Sequence, residues 1–181
     1  MALGGCCWAQ NDASFITPES GRPGKSISHQ ELAICYHIAI KHWISAALQC
    51  LTESLSPIPH EVNELDWKAQ LSDHKDRLAE HLMAFANHPN GGTLVFGIDN
   101  SAVPVGVNAE AVAKITNTLA NLGRDAIEPP LAIDHAAVSF GGVTLLLLRV
   151  PEQTVKPVHR RGKSIEETWI RSGGTTRKAS R

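Results

Sequence analysis

What the chain lacks narrows it first. Aromatic residues make up 5% of its 181 residues, so few side chains are on hand to stack against bases. The four cysteines, Cys6, Cys7, Cys35 and Cys50, show no metal-ligand spacing. On one helix, Cys35 and Cys50 would stand roughly 22 Å apart, beyond the reach of a disulfide. Reduced thiols in a cytoplasmic protein follow as the reading. No Walker loop is present, because Gly91-Gly92 is not followed by Gly-Lys-Ser/Thr, and no dinucleotide fingerprint follows the first strand. A Gly-x-Ser-x-Gly elbow is absent as well. No internal repeat occurs. The opening MALGGCCWAQ has no basic region and only a brief apolar run, which makes a poor secretion signal.

The near-neutral total, −1, hides an uneven distribution. Residues 154–181 hold eight Lys or Arg against two Glu, a net of +6, and the remainder holds nine basic against sixteen acidic groups, a net of −7. A basic end on an acidic body fits an anionic partner such as nucleic acid; it also fits a solvated terminus.

The organising stretch is Met83–Asn100, MAFANHPNGGTLVFGIDN. Apolar residues at helical spacing stop at Asn87-His88-Pro89. A reversal follows at Asn90-Gly91-Gly92, and then an apolar strand, Thr93–Ile98, which ends in Asp99-Asn100.

Upstream, residues 1–27 lack periodicity and read as a disordered leader. Ser28 with Glu31 has capping-box spacing and opens a long helix to about Thr52, with a polar stripe at His37, Lys41, Ser45 and Gln49. Lys41 and His42 at its midpoint argue against a membrane span, which needs about twenty apolar residues. Such a helix either packs on the domain or docks on a partner, a second copy included. Ser56-Pro57-Ile58-Pro59 reads as a linker, giving a helical segment over 28–55 and a domain over 58–178. Glu64–Leu71 alternates as a half-buried strand, with Glu64, Asp66, Lys68 and Gln70 on its wet face. Asp73 is placed to cap a helix to Asn87 whose core stripe is Leu78, Leu82, Phe85 and Ala86.

After the loop Asp99–Val107, Asn108 caps a further helix with an inner face of Val112, Ile115, Leu119 and Leu122, and Gly123 ends it. Two strands, Leu131–Phe140 and Val143–Val150, meet at Gly141-Gly142, a hairpin signal. A basic loop, Lys156–Lys163, leads to a last strand around Glu166–Arg171. The order β-α-β-α-β-β-β predicts an α+β domain with a mixed sheet, preceded by an extra N-terminal helix.

Four groups could carry chemistry. Glu61, Glu64 and Asp66 with Lys68 suit a divalent ion, since Mg²⁺ and Mn²⁺ favour oxygen ligands and a lysine can balance phosphate charge; the same spacing suits a solvated strand face. Asp99 with Asn100 sits at a strand end, a frequent ligand position, and is equally an ordinary turn. His74, His81 and His88 recur every seven residues, roughly 10 Å apart, too far to share one ion, and read as surface residues. Lys156, Arg160, Arg161, Lys163 and Arg171, with His159 among them, could track a phosphate backbone. Only Trp169 lies nearby to stack.

In combination these segments resemble the Schlafen-type AlbA-like domain of bacterial regulators and Schlafen proteins. Glu61 followed by Asp66-Trp67-Lys68 is similar to the family's Glu, four residues, Glu-Phe-Lys. Ala84-Phe85-Ala86-Asn87, Gly91-Gly92 and Gly97-Ile98-Asp99 match its helix-glycine-strand unit. Val105-Gly106, Pro157 and Trp169-Ile170-Arg171-Ser172-Gly173 complete it. The resemblance covers about residues 58–178.

That resemblance implies a nucleic-acid-binding module, for DNA or RNA, of regulatory and non-catalytic kind. Some members are metal-dependent RNA endonucleases with three carboxylates at the positions of Glu61, Asp66 and Asn100. Here the third is an amide, with Asp99 one residue earlier. A nuclease would use Glu61, Asp66 and Asp99 as ligands for Mg or Mn, with Lys68 as electrostatic helper. Other relatives have been labelled ATP-binding, and many carry a helix-turn-helix after the domain. None precedes Arg181, which reads as a lone or truncated module. A protein-interaction role through the N-terminal helix is the remaining alternative.

Overall fold

A computed structural model describes residues 29–179, with side chains from His42 onward. The expected leader, the capping residue Ser28, and Cys6, Cys7 and Cys35 lie outside the described side chains. Eleven elements run in order: α1 (His29–Leu55), β1 (Leu65–Lys68), α2 (Lys75–Asn87), β2 (Gly92–Phe96), α3 (Ala109–Asp125), β3 (Ile127–Glu128), β4 (Asp134–Phe140), β5 (Val143–Val150), β6 (His159–Arg160), β7 (Trp169–Ser172) and β8 (Thr175–Lys178). The fold is α+β with a mixed sheet, as its element pattern predicts.

The main sheet has the order β1-β2-β5-β4. β1 and β2 are parallel, joined through α2, and β2-β5 and β5-β4 are antiparallel. Strand β5 shows why its sequence reads as an unbroken apolar run. Leu146, Leu148 and Val150 pack with α2 and α3 on one side, while Leu145 and Leu147 pack with α1 on the other. A strand covered on both faces has no polar side to alternate. Each fully buried Leu or Phe here contributes roughly 1.5–3 kcal/mol.

The helix-glycine-strand unit is set by close approach. Gly91 holds φ +72°, and a Cβ there would lie 2.2 Å from the Val150 carbonyl oxygen. A Cβ on Gly92 would fall 1.8 Å from the Phe85 ring. So α2 can lie flat on β2 only because this turn carries no side chains.

Several boundaries differ from the pattern. Helix α2 starts at Lys75 with no side-chain cap; Asp73 contributes only its carbonyl, to the Lys75 amide. Asn108 does cap α3, accepting from the Ala111 amide. Gly123 does not end α3, which runs on to Asp125. Instead Leu131 and Ile133 press against it, a contact that a larger residue would block. The Leu131 amide bonds back to Gly123, so β4 begins at Asp134. Gly141-Gly142 turns the β4-β5 hairpin as expected, with both residues at positive φ.

Two short pairs lie beyond the main sheet. β3 pairs with β6, and β7 with β8. Thr175–Lys178, read from the sequence as a tail, is therefore a strand. The expected last strand begins at Trp169, after a turn over Ser164–Glu167.

In α1, Trp43, Ile44, Ala47, Leu48 and Leu51 pack onto Leu65, Val95, Ile98, Leu145 and Leu147. The second half of this helix is thus roofing for the sheet, while Ser45 and Gln49 of the polar stripe are exposed. Among the described residues no helix is long and apolar enough to cross a membrane.

Candidate functional site

The charged residues singled out from the sequence fall into two places. The first is a buried junction on the α2 side of β1. Asp66, expected on a wet strand face, is 6% exposed. It pairs with Leu94 in register, so it faces the helix layer and not water. Lys68 Nζ donates to both of its carboxylate oxygens, at 2.8 and 3.0 Å. Arg171 Nη1 lies 3.8 Å from Oδ2, and His81 Nδ1 lies 3.1 Å from the same oxygen.

His81 is not the surface residue that heptad spacing predicts. It sits three residues after Leu78 and four before Phe85, on the core side of α2, and is 4% exposed. Burial pushes its pKa down from 6.5 to about 4. Asp66 opposes that shift, and Lys68, Arg77 and Arg171 add to it. At neutral pH the ring is uncharged, so its contact with Asp66 is a hydrogen bond and not an ion pair. A carboxylate can only accept, which places the proton on Nδ1. Thr176 Oγ1, 3.0 Å from the same nitrogen, shares it.

Arg171 is the centre of this junction, with its side chain 1% exposed. Nε donates to the Asn63 carbonyl at 3.2 Å, and Nη2 to the Val62 and Leu65 carbonyls at 2.8 and 3.3 Å. Nη1 donates to Thr176 Oγ1 at 3.1 Å. The guanidinium also stands 4.9 Å over the Phe85 ring centre, a cation–π distance. Its donors are spent inside the protein. As a phosphate contact, the sequence-based expectation for Arg171 is corrected: a ligand outside has no path to it.

Glu61 and Asn63 lock the same region from in front of β1. Asn63 Oδ1 accepts from the Gly174 amide at 2.9 Å. A Cβ on Gly174 would come within 2.5 Å of the Glu61 Cβ. Asn87, last residue of α2, performs a similar task at the other end of β7. Its amide donates to the Val158 and Trp169 carbonyls, and its oxygen accepts from the Val158 amide. One side chain thereby satisfies three backbone groups.

Asp99 makes the turn that its Asp-Asn sequence allows. Oδ1 accepts from the Ser101 and Val103 amides, both at 2.9 Å, and Asn100 is exposed beside it. Among the described residues no group of three or more His, Cys, Asp or Glu side chains is placed to hold a metal ion. Glu61, Asp66 and Asp99 do not form the ligand set expected for Mg or Mn. The carboxylate best placed to bind a cation, Asp66, already has Lys68 across both oxygens. The donors present do not fit a divalent ion.

The second place is the exposed basic surface. Lys156 pairs with Glu152 at 2.6 Å, Arg160 with Asp76, Arg161 with Glu128 at 3.0 Å, and Lys178 with Glu167 at 2.6 Å. Lys156 and the Asn90 amide hold the Glu152 carboxyl below its usual range, and Lys178 does so for Glu167. Lys163 and Arg177 are exposed and make no ion pair among the described residues. Exposed pairs of this kind are worth below about 1 kcal/mol, so a phosphate can replace any of the four carboxylates at little loss.

Against known proteins, the family model described as "Schlafen, AlbA_2" matches residues 61–180. The chain belongs to this family. Its match begins at Glu61 and takes in both the junction and the basic surface. Among solved structures, the N-terminal domain of a putative ATP-dependent DNA helicase RecG-related protein from Nitrosomonas europaea is similar at 26% identity. The TM-score is 0.53, covering 74% of this chain and 92% of that one. The DIP2311 protein from Corynebacterium diphtheriae is similar in fold, at 17% identity and a TM-score of 0.51. The match covers 78% of this chain but spans 27% of that one. No curated protein matches the sequence.

Proposed function

We propose that this Schlafen AlbA_2 domain is a nucleic-acid-binding module of regulatory, non-catalytic kind, working in the cytoplasm. The observation that carries the reading is the division of charge just described. The acid that a nuclease would need is tied up by Lys68, His81 and Arg171, while Lys156, Arg160, Arg161 and Lys163 lie on the surface in exchangeable pairs. The name of the Nitrosomonas protein, which refers to a DNA helicase, supports a nucleic-acid partner for a domain of this shape. Lys156, Arg160, Arg161 and Lys163 contact phosphates; Arg171 holds the fold behind them.

The test is fluorescence anisotropy with mixed-sequence DNA and RNA, begun at low salt. Binding should appear at about 50 mM salt and weaken steeply towards about 200 mM, as displaced counterions require. Binding that ignores salt, or none at low salt, would remove the proposal. Incubating structured RNA with Mn²⁺ tests the nuclease alternative. Cleavage that disappears in Asp66→Ala would replace a binding role with a catalytic one.

A further inference from the structure

The main sheet ends on two edges, β1 and β4, and they are finished differently. β1 is four residues long and ends in Lys68, and its Leu65 carbonyl accepts from Arg171 Nη2. β4 is seven residues long and pairs with β5 without a break, from Asp134–Arg149 to Phe140–Val143. It contains no Lys, no Pro and no bulge. Those are the devices that keep a sheet edge from pairing with another chain. The one carboxylate of β4, Asp134, stands at its first position.

The hydrogen-bond parity of the hairpin shows what this edge presents. The Thr144 carbonyl accepts from the Val107 amide, so it faces away from β4. Antiparallel strands alternate between bonded and unbonded pairs, which makes Phe140–Val143, Val138–Leu145, Ala136–Leu147 and Asp134–Arg149 the bonded ones. His135, Ala137 and Ser139 therefore turn their backbone N–H and C=O away from the sheet. These groups have no backbone partner among the described residues. Their side chains are exposed and are small or polar. On the opposite face Ala136, Val138 and Phe140 are half-buried. Val138 and Phe140 pack against the cluster under α1, yet each keeps part of its surface open along the edge.

We infer that β4 is the interface of a two-fold homodimer, pairing antiparallel with β4 of a second copy so that one sheet runs through both chains. A row of outward amides and carbonyls fits a strand, and this strand is its own mate. With Ala137 opposite the partner's Ala137, His135 falls opposite the partner's Ser139 and Ser139 opposite the partner's His135. All three outward residues then sit in bonded pairs, each exchanging both N–H···O bonds. Any other antiparallel register leaves at least one of the three without a mate in the partner's β4. The small Ala137 side chain at the two-fold axis permits close approach. Ala136 and Val138 meet the partner's Val138 and Ala136, which covers the apolar flank left open in one chain. The two Asp134 carboxylates stand at opposite ends of the paired strands, roughly 20 Å apart, and each is across from Arg149 of its own chain. The contact is isologous and closes on itself. It does not depend on the nucleic-acid reading.

The full chain is measured by sedimentation equilibrium over a concentration series reaching about 100 μM. The mass should rise to twice the 19.5 kDa of one chain. Ala137→Lys sets two ammonium groups opposite each other at the axis, with Cα atoms about 5.5 Å apart. It should raise the dissociation constant by about a hundredfold or more. Ser139→Lys, which meets the partner's His135 instead of itself, should have a smaller effect in the same direction. Amide hydrogen exchange reads the register. In the dimer the N–H groups of His135 and Ser139 should be protected, and in Ala137→Lys they should exchange about tenfold faster or more. The amides of Ala136, Val138 and Phe140, bonded to β5, should stay protected in every variant and show that the separated chain is folded.

A chain that stays monomeric throughout the series overturns the inference. A dimer that survives Ala137→Lys, with fast exchange at His135 and Ser139, also overturns it and moves the contact to another face, such as α1. Protected edge amides in a monomer would mean that a segment of the same chain fills the edge, which equally removes the second copy.

Discussion

The buried junction and the basic surface are made of the same residue types and behave in opposite ways. At the junction Asp66, Lys68, His81, Arg171 and Thr176 share a mostly dry space, and their polar atoms are held by one or more fixed partners. On the basic surface Arg160, Arg161 and Lys163 are held loosely against single carboxylates or by none. Burial raises the strength of each contact and also the penalty for removing one partner. Exposure does the reverse, leaving cations free to change partners. A chain can therefore contain many charged residues and use a few of them as mortar.

The contrast is broken most severely at Arg171. Arg171→Leu would strand the Val62, Asn63 and Leu65 carbonyls and remove the charge facing Asp66. The expected loss is about 4 kcal/mol of folding stability, read from urea unfolding midpoints. A loss below about 1 kcal/mol would mean that the junction is wetter than its geometry.

A second test uses pH. The folded-state pKa of His81, about 4, lies below its ordinary 6.5, so the unfolded chain binds more protons between these values. Its contribution to stability is complete above pH 6.5 and disappears as pH falls through 4, amounting to roughly 3 kcal/mol. Unfolding measured at pH 7 and 4.5 should show this drop in the wild type and a smaller one in His81→Gln. Equal drops in both would place the titration elsewhere.

The smallest effect on stability belongs to the basic surface. Arg161→Gln breaks the pair with Glu128, and its unfolding midpoint should move by less than about 1 kcal/mol in stability. Any change should appear in the salt dependence of binding. A large destabilisation would show that Arg161 is another structural cation, erasing the distinction between the two regions.

Much of the fold can be read from local pattern. The Phe85, Gly91-Gly92 and Thr93–Ile98 sequence states a helix end, a reversal and a strand, because only glycine fits between the Phe85 ring and the Val150 carbonyl. Asn108 and Gly141-Gly142 are equally plain, each acting through bonds a few residues long. His81 was legible in part: it shares the stripe of Leu78, Leu82 and Phe85, yet a histidine there reads as solvated until its partners are known. Asn87 gives no local sign of its three bonds, since Val158 and Trp169 lie 71 and 82 residues away. Thr176 was missed because its strand is short and polar.

The sequence by itself determined the α+β class with its mixed sheet, the main turns and the family, since these depend on backbone preferences and on the spacing of apolar residues along one segment; the short strands β3, β6 and β8 it did not show. Tertiary structure decided which charges are free. Alternation says that Asp66 and Leu65 point to opposite faces; it cannot say that α2 and the β7-β8 pair cover the first and α1 the second. Arg171 lies 105 residues after Asp66, and only the folded chain brings them within 3.8 Å. Whether a cation meets water or a buried carboxylate depends on what packs over it, and no local pattern carries that information.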